Sequence, residues 1–136
     1  MGMFSILDIS AAGMDVQQAK LSAASVNLAN ASSTAKPGGP VYTPMTVVVH
    51  STTAAASGLP RPVVTGTVPL DVQPHLVYDP GHPDADERGF VSLPGNDPIA
   101  SMLDLISISR NYEANLRAFD ITRTLLQRTL DMGNHR

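Results

Sequence analysis

The sequence predicts an α+β chain in which long helices at the two ends flank a small, irregular, mostly β module. Three observations carry this expectation. All 11 prolines and most of the ten glycines lie between residues 37 and 98. The 34 residues from Ile99 to Met132 contain neither type. Large apolar side chains recur at seven-residue intervals near the start. The chain therefore divides into residues 1–32, an N-terminal helix, residues 33–98, the middle module, and residues 99–136, a C-terminal helix.

In the first segment Leu7, Met14, Leu21 and Leu28 are each seven residues apart, with Phe4 three residues before Leu7. Ala11, Gln18 and Ser25 fill the alternate positions. This 3-then-4 spacing is that of a narrow helical seam, and the small alternates let a partner helix come close. A helix over residues 4–31 would be about 40 Å long.

The middle begins with "STAKPGGP" and contains "STTAAASGLPRP", both loop-like. Val41–His50 and Val63–Val77 are rich in valine and threonine, which favours short strands. Pro44, Pro69 and Pro74 should keep those strands short or at an edge.

The last segment opens with "NDPI", where Asp97 can cap the first turn and Pro98 takes the first helical position, at which a missing N–H costs nothing. Gly133 is placed to stop the helix. One heptad position reads Leu105, Tyr112, Phe119, Leu126; the position three residues earlier reads Met102, Ser109, Leu116, Arg123, with Leu130 following. This is a second seam, about 50 Å long. Glu113 with Arg117, and Asp120 with Arg123, are spaced to support the helix as ion pairs.

Two amphipathic helices can satisfy each other within one chain. Their flanks, however, are rich in Ala, Ser, Asn and Thr, too uncharged for a plain solvent face and too small for a core. Such flanks suit further helices of other subunits. The nine residues expected at subunit contacts are Leu7, Met14, Leu21, Leu28, Leu105, Tyr112, Leu116, Phe119 and Leu126.

Composition narrows the function classes. Six aromatic residues and no Trp leave few large anchors for a compact core, and the 15 alanines add little apolar area. A net charge of −3 with only Lys20 and Lys36 as lysines gives no basic field for nucleic acid or an anionic membrane. The start "MGMFSILDIS" lacks a basic region and an apolar run, so no cleaved secretory signal is expected, and no stretch suits membrane insertion. Without cysteine there are no disulfides or thiolates.

Chemistry of a catalytic kind finds no footing. In "YDPGHPDADERGF", Asp84, Asp86 and Gly89 match a calcium loop, but Arg88 stands where an oxygen ligand belongs and Gly95 where a bidentate glutamate is needed. The acids Asp79, Asp84, Asp86 and Glu87 read instead as turn formers or partners for arginines. His50, His75, His82 and His135 have no metal-ligand spacing. Neither a nucleophile elbow nor a phosphate-binding loop is present in the sequence, so no enzyme activity and no cofactor are expected.

Two blocks carry a resemblance. "SAASVNLANASSTAKPGGPVY" resembles the signature near the N-terminus of the flagellar axial proteins, with Ser25, Asn27, Leu28, Ala29 and Asn30 as its core. The block from Tyr78 to Gly133 is similar to the C-type proximal-rod family of the bacterial flagellar basal body. Its loop element is present at Pro83, Ala85, Asp86, Glu87 and Gly89, and its helix element at Arg110, Tyr112, Glu113 and Asn115. The resemblance implies a subunit exported unfolded by the flagellar type III apparatus, with no signal cleaved, that assembles in the periplasm with copies of itself and other rod subunits, near the basal-body ring and adaptor proteins. The rod so formed transmits motor torque. The rival reading is a soluble coiled-coil adaptor or dimer that enters no filament.

Overall fold

The computed structural model describes residues 3–53 and 58–134. In chain order these form helix α1 (Met3–Asn30), strands β1 (Met45–Thr53), β2 (Pro60–Pro69), β3 (His75–Tyr78) and β4 (Phe90–Leu93), and helix α2 (Pro98–Asn134). The architecture is α+β, with long helices at both ends and short antiparallel strands between them.

The helices run antiparallel. Leu21 and Leu105 line one groove, a Cβ on Gly13 would lie 3.8 Å from Asn115 Nδ2, and Asn96 at the foot of α2 reaches Asn27. By this register the start of α1 lies opposite residue 125 or so, and the last turns of α2, about 14 Å of helix, have no partner helix among the described residues. Leu130 and Met132 there are 59% and 69% exposed. α1 also packs against β1 and β2, so it is the element that holds the hairpin and α2 together. Its most buried side chains are Ala12 and Val16.

The expected seam of α2 is half right in its residues. Leu105, Tyr112, Phe119 and Leu126 are half-buried, as expected, but the companion row is Ser101, Ile108, Asn115 and Thr122. Met102 and Leu116, which heptad spacing places in that row, are 52% and 40% exposed. The close approach at Gly13 explains the choice, because a small polar Asn115 fits where a leucine would hold the helices apart. The Glu113–Arg117 and Asp120–Arg123 pairs do not form. Among the described residues the ion pair between ordinarily charged groups is Arg61–Asp8 at 3.5 Å, while His82 Nδ1 accepts a hydrogen bond from Asp84 N at 3.0 Å.

Proline marks the strand boundaries. β1 starts directly after the buried Pro44, β2 ends at Pro69, and β3 begins after Pro74. The single Val63–Val77 stretch expected from composition is therefore two strands in two sheets, since a proline cannot donate to a continuing ladder. β1 pairs with β2 from Met45↔Pro69 to Thr53↔Pro60, with a bulge after Val48 that leaves Thr65 unpaired. β3 pairs with β4 from His75↔Leu93 to Tyr78↔Phe90. The outer edge of β4 is closed by the segment after α1, through Ala35 N to Ser92 O at 3.0 Å and Ser92 N to Ala35 O at 2.9 Å. Val91, Ser92 and Pro94 are buried there, making this the tightest part of the module.

The cap of α2 is the expected one. Asp97 Oδ1 accepts from Ile99 N at 3.0 Å, and the first helical carbonyl bond is Ser101 N to Asp97 O at 2.9 Å. Asp97→Ala should cost about 1 kcal/mol, seen as a lower urea midpoint at unchanged slope. A midpoint equal to wild type would show that the cap contributes nothing. At the other end the helix runs through Gly133 to Asn134, beyond the expected stop. Glycine is tolerated in a terminal turn, where it costs at most about 1 kcal/mol.

Candidate assembly surface and its supporting node

Asn27 occupies the last turn of α1 and joins three segments of the chain. Its Nδ2 donates to Met45 O at 2.8 Å, and its Oδ1 accepts from Met45 N at 2.9 Å, so one side-chain amide pairs both backbone groups of a residue at the start of β1. This two-way match fixes the orientation of the amide without ambiguity. Tyr42 Oη donates a further bond to Oδ1 at 2.8 Å. The backbone carbonyl of Asn27 accepts from Asn96 Nδ2 at 3.2 Å, and the same Asn96 nitrogen donates to Ser101 Oγ in the first turn of α2, also at 3.2 Å.

The rest of this motif finishes the helix. A helix leaves its last four carbonyls without intrahelical donors. Beyond the carbonyl of Asn27, that of Leu28 accepts from Ala31 N at 3.2 Å, and that of Asn30 accepts from Ser33 N at 3.1 Å and Ser33 Oγ at 2.7 Å. Asn30 Nδ2 turns back to Val26 O at 2.9 Å. Leu28 is half-buried and Ala29 is exposed.

The loop motif is likewise self-contained. Asp86 Oδ1 accepts from Arg88 N at 2.9 Å and Phe90 N at 2.8 Å, holding the turn that leads into β4. Gly89 is buried with φ +82°, and its carbonyl accepts from Asp79 N at 2.8 Å. Asp86 is thus a turn former, as expected. Asp84 meets Thr34 Oγ1 at 2.6 Å instead of an arginine. Pro83 and Glu87 are exposed, and Ala85 donates its N–H to His82 O at 3.0 Å. Among the described residues no cluster of His, Asp and Glu is arranged to hold a metal ion, and no helix is long and apolar enough to cross a membrane.

Of the residues expected at subunit contacts, Leu7, Met14, Leu21, Leu28, Leu105, Tyr112, Phe119 and Leu126 are half-buried, and Leu116 is exposed. Of the helix motif, Arg110 and Glu113 are exposed, while Asn115 sits opposite Gly13. What the heptad reading missed is a second apolar set on the outside of α2. Leu103, Ile106, Ile121 and Leu125 are 62%, 43%, 62% and 54% exposed. Arg110 and Arg128, which border grooves on that side, have no ion-pair partner among the described residues. The signal was available in the sequence as apolar residues off the main heptad.

The whole surface has the same character. A compact monomer of 14.3 kDa would expose about 6,800 Å². This chain exposes 9,200 Å², with Phe4, Ile99 and Met132 near 70% accessible. The excess area reflects an extended shape, and α2 carries more of its exposed large apolar side chains than any other element.

Comparison with known proteins agrees in extent. Residues 87–132 match the family described as "Flagellar basal body rod FlgEFG protein C-terminal". The chain is 37% identical over 133 residues to the flagellar basal-body rod protein FlgC of Aquifex aeolicus, spanning 96% of this chain and 97% of that one. It is 32% identical to FlgC of Escherichia coli O6:H1 over 98% of this chain and 99% of that one, and 30% identical to FlgC of Bacillus subtilis over the same shares. The similarity takes in α1, the middle module and α2 alike, and the chain belongs to the FlgC family of flagellar basal-body rod proteins.

Proposed function

We propose that this chain is a structural subunit of the proximal rod in the bacterial flagellar basal body. It assembles with copies of itself and with other rod subunits into the shaft that carries torque from motor to hook. Family membership supports the rod assignment, and the observation that carries the assembly role is the set of exposed apolar side chains along the helices, most of them on α2. The chain acts by packing, without catalysis, cofactor, nucleic acid or insertion into the membrane. It reaches the periplasm through the flagellar type III apparatus with its N-terminus uncleaved, and takes its place next to ring and adaptor proteins.

The end helices suit that route. Leu7, Met14, Leu21 and Leu28 with Leu105, Tyr112, Phe119 and Leu126 are left half-covered by the chain itself. Neighbouring subunits complete their burial, and the far turns of each helix order as this happens. Each subunit offers one surface and receives another, which builds an open helical array in place of a closed dimer.

Deletion of the gene should stop rod growth, and basal bodies isolated from the complemented strain should contain the chain in the rod. Complete rods in the deletion strain would overturn the proposal. So would a purified chain that is a closed, fully helical dimer at every dilution, because such a dimer has no free surface to extend.

A further inference from the structure

Both helices are tied by hydrogen bonds at one node beside the start of β1, while the far part of α1 meets the hairpin again through the part-exposed Arg61–Asp8 pair at 3.5 Å. At the node, Asn27 is bonded to Met45 and Tyr42, its carbonyl is taken by Asn96, and Asn96 also holds Ser101 beside the Asp97 cap. Exposed apolar side chains occur at both ends, Val26 and Ile99 beside the node as well as Phe4, Ile6, Leu130 and Met132 at the tips, so it is the hydrogen bonds that set the node apart. The bonds at the node join residues 18 and 69 positions apart, so they are not a by-product of helix formation.

Starting a helix is the unfavourable step, by a factor of about a thousand, whereas each added residue is close to neutral. A fixed first turn removes that step. We infer that the middle module, acting through Asn27, is the folding seed for both end helices, which grow outward from one shared node. Met45 is the first residue of β1, so the Asn27 amide reads whether the β1–β2 hairpin is in place. With the hairpin formed, both backbone groups of Met45 face the amide, and α1 has a docked final turn. Asn96 passes the same constraint to α2. The helices are then ordered in a gradient, firm at the node and adjustable at the tips.

The inference rests on this geometry alone, so its test is separate from incorporation into rods. Amide hydrogen exchange on the purified full chain reads it directly. In the wild-type chain, amides over residues 22–30 and 100–107 should exchange at least about tenfold more slowly than those over 5–12 and 124–132. Asn27→Asp keeps the shape but turns the Nδ2 donor into an oxygen facing the Met45 carbonyl. It should speed exchange over residues 22–30 by about tenfold and leave the β1–β2 ladder protected.

Tyr42→Phe keeps the two-way clamp and removes one bond, and it should give a smaller loss, about threefold, over the same residues. If the hairpin of Asn27→Asp unfolds too, Tyr42→Phe decides between a node and a general loss of fold. Unchanged α1 exchange in Tyr42→Phe, or in a folded Asn27→Asp, overturns the inference. So does a wild-type gradient that is flat or runs the other way.

Discussion

Leu116→Asp is expected to leave the chain folded and exported but absent from the rod. Leu116 is 40% exposed and lies outside the row that packs toward α1, so a carboxylate there stays in water in the isolated chain. Exposed substitutions of this kind change stability by about 0.5 kcal/mol, with a similar loss of helix propensity on going from leucine to aspartate. In the proposed assembly the same position would be covered by a neighbouring subunit. An unpaired charge buried against apolar neighbours costs about 3–5 kcal/mol, and 3 kcal/mol is more than a hundredfold in each association step. Quantitative blotting of export supernatants and of isolated basal bodies checks both halves. Leu116→Met, which keeps the volume and the apolar character, should incorporate as the wild type does. Leu116→Asp subunits present in rods at wild-type levels would remove Leu116 from the contact surface.

The helices were legible because their signals are local. Seven-residue spacing from Leu7 to Leu28, and a proline-free run opened by Asp97 and Pro98, each lie within a few turns of chain. Seven-residue spacing alone places Met102, Ser109, Leu116 and Arg123 in the second row of α2, whereas within the chain the close approach of α1 at Gly13 selects the small polar Asn115. Prolines marked strand ends correctly, but the division into two sheets depends on pairings across the module. β4 is four residues long, and its register comes from β3 on one side and Ala35 on the other.

The supporting node was visible as residues and invisible as a mechanism. Asn27 stands out as a polar residue beside Leu28 in an apolar series, and family resemblance singles it out. Its partners Met45, Tyr42 and Asn96 lie 18, 15 and 69 residues away, and nothing periodic connects them. The outer apolar set of α2 shows the opposite case, since Leu103, Ile106, Ile121 and Leu125 are plain in the sequence. They fall outside the expected seam because one seam suffices for a helix pair. A helix with apolar residues on two sides is built for more than one neighbour.

Gly89→Ala is expected to be a strongly damaging change in the middle module. Gly89 has φ +82°, a conformation that costs a residue with a side chain about 1–3 kcal/mol. A Cβ there would also lie 2.9 Å from Tyr78 Cε2 and 3.0 Å from Pro80 Cβ. Forcing extra volume into a filled site adds about 1–3 kcal/mol. Together these reach about 3 kcal/mol, a large share of the ~5–15 kcal/mol that holds a typical domain together.

The Tyr78 ring, 63% exposed, can step aside only by giving up its edge-on contact with Phe90, at a centroid distance of 5.4 Å and 66°, which costs about 0.5–1.5 kcal/mol. Displacing it strains the Asp79 N to Gly89 O bond that closes the turn and, through β4, the strap between Ser92 and Ala35 and the start of α2. Urea unfolding should show the loss directly. Exchange should show protection lost first over residues 75–93. In a Tyr78→Ala background the ring clash is gone and the backbone strain remains, so the added cost of Gly89→Ala should fall by about 1 kcal/mol without vanishing. A Gly89→Ala chain within about 0.5 kcal/mol of wild type would mean that the turn relaxes freely, and that the glycine of this loop is required neither by its backbone angle nor by the ring above it.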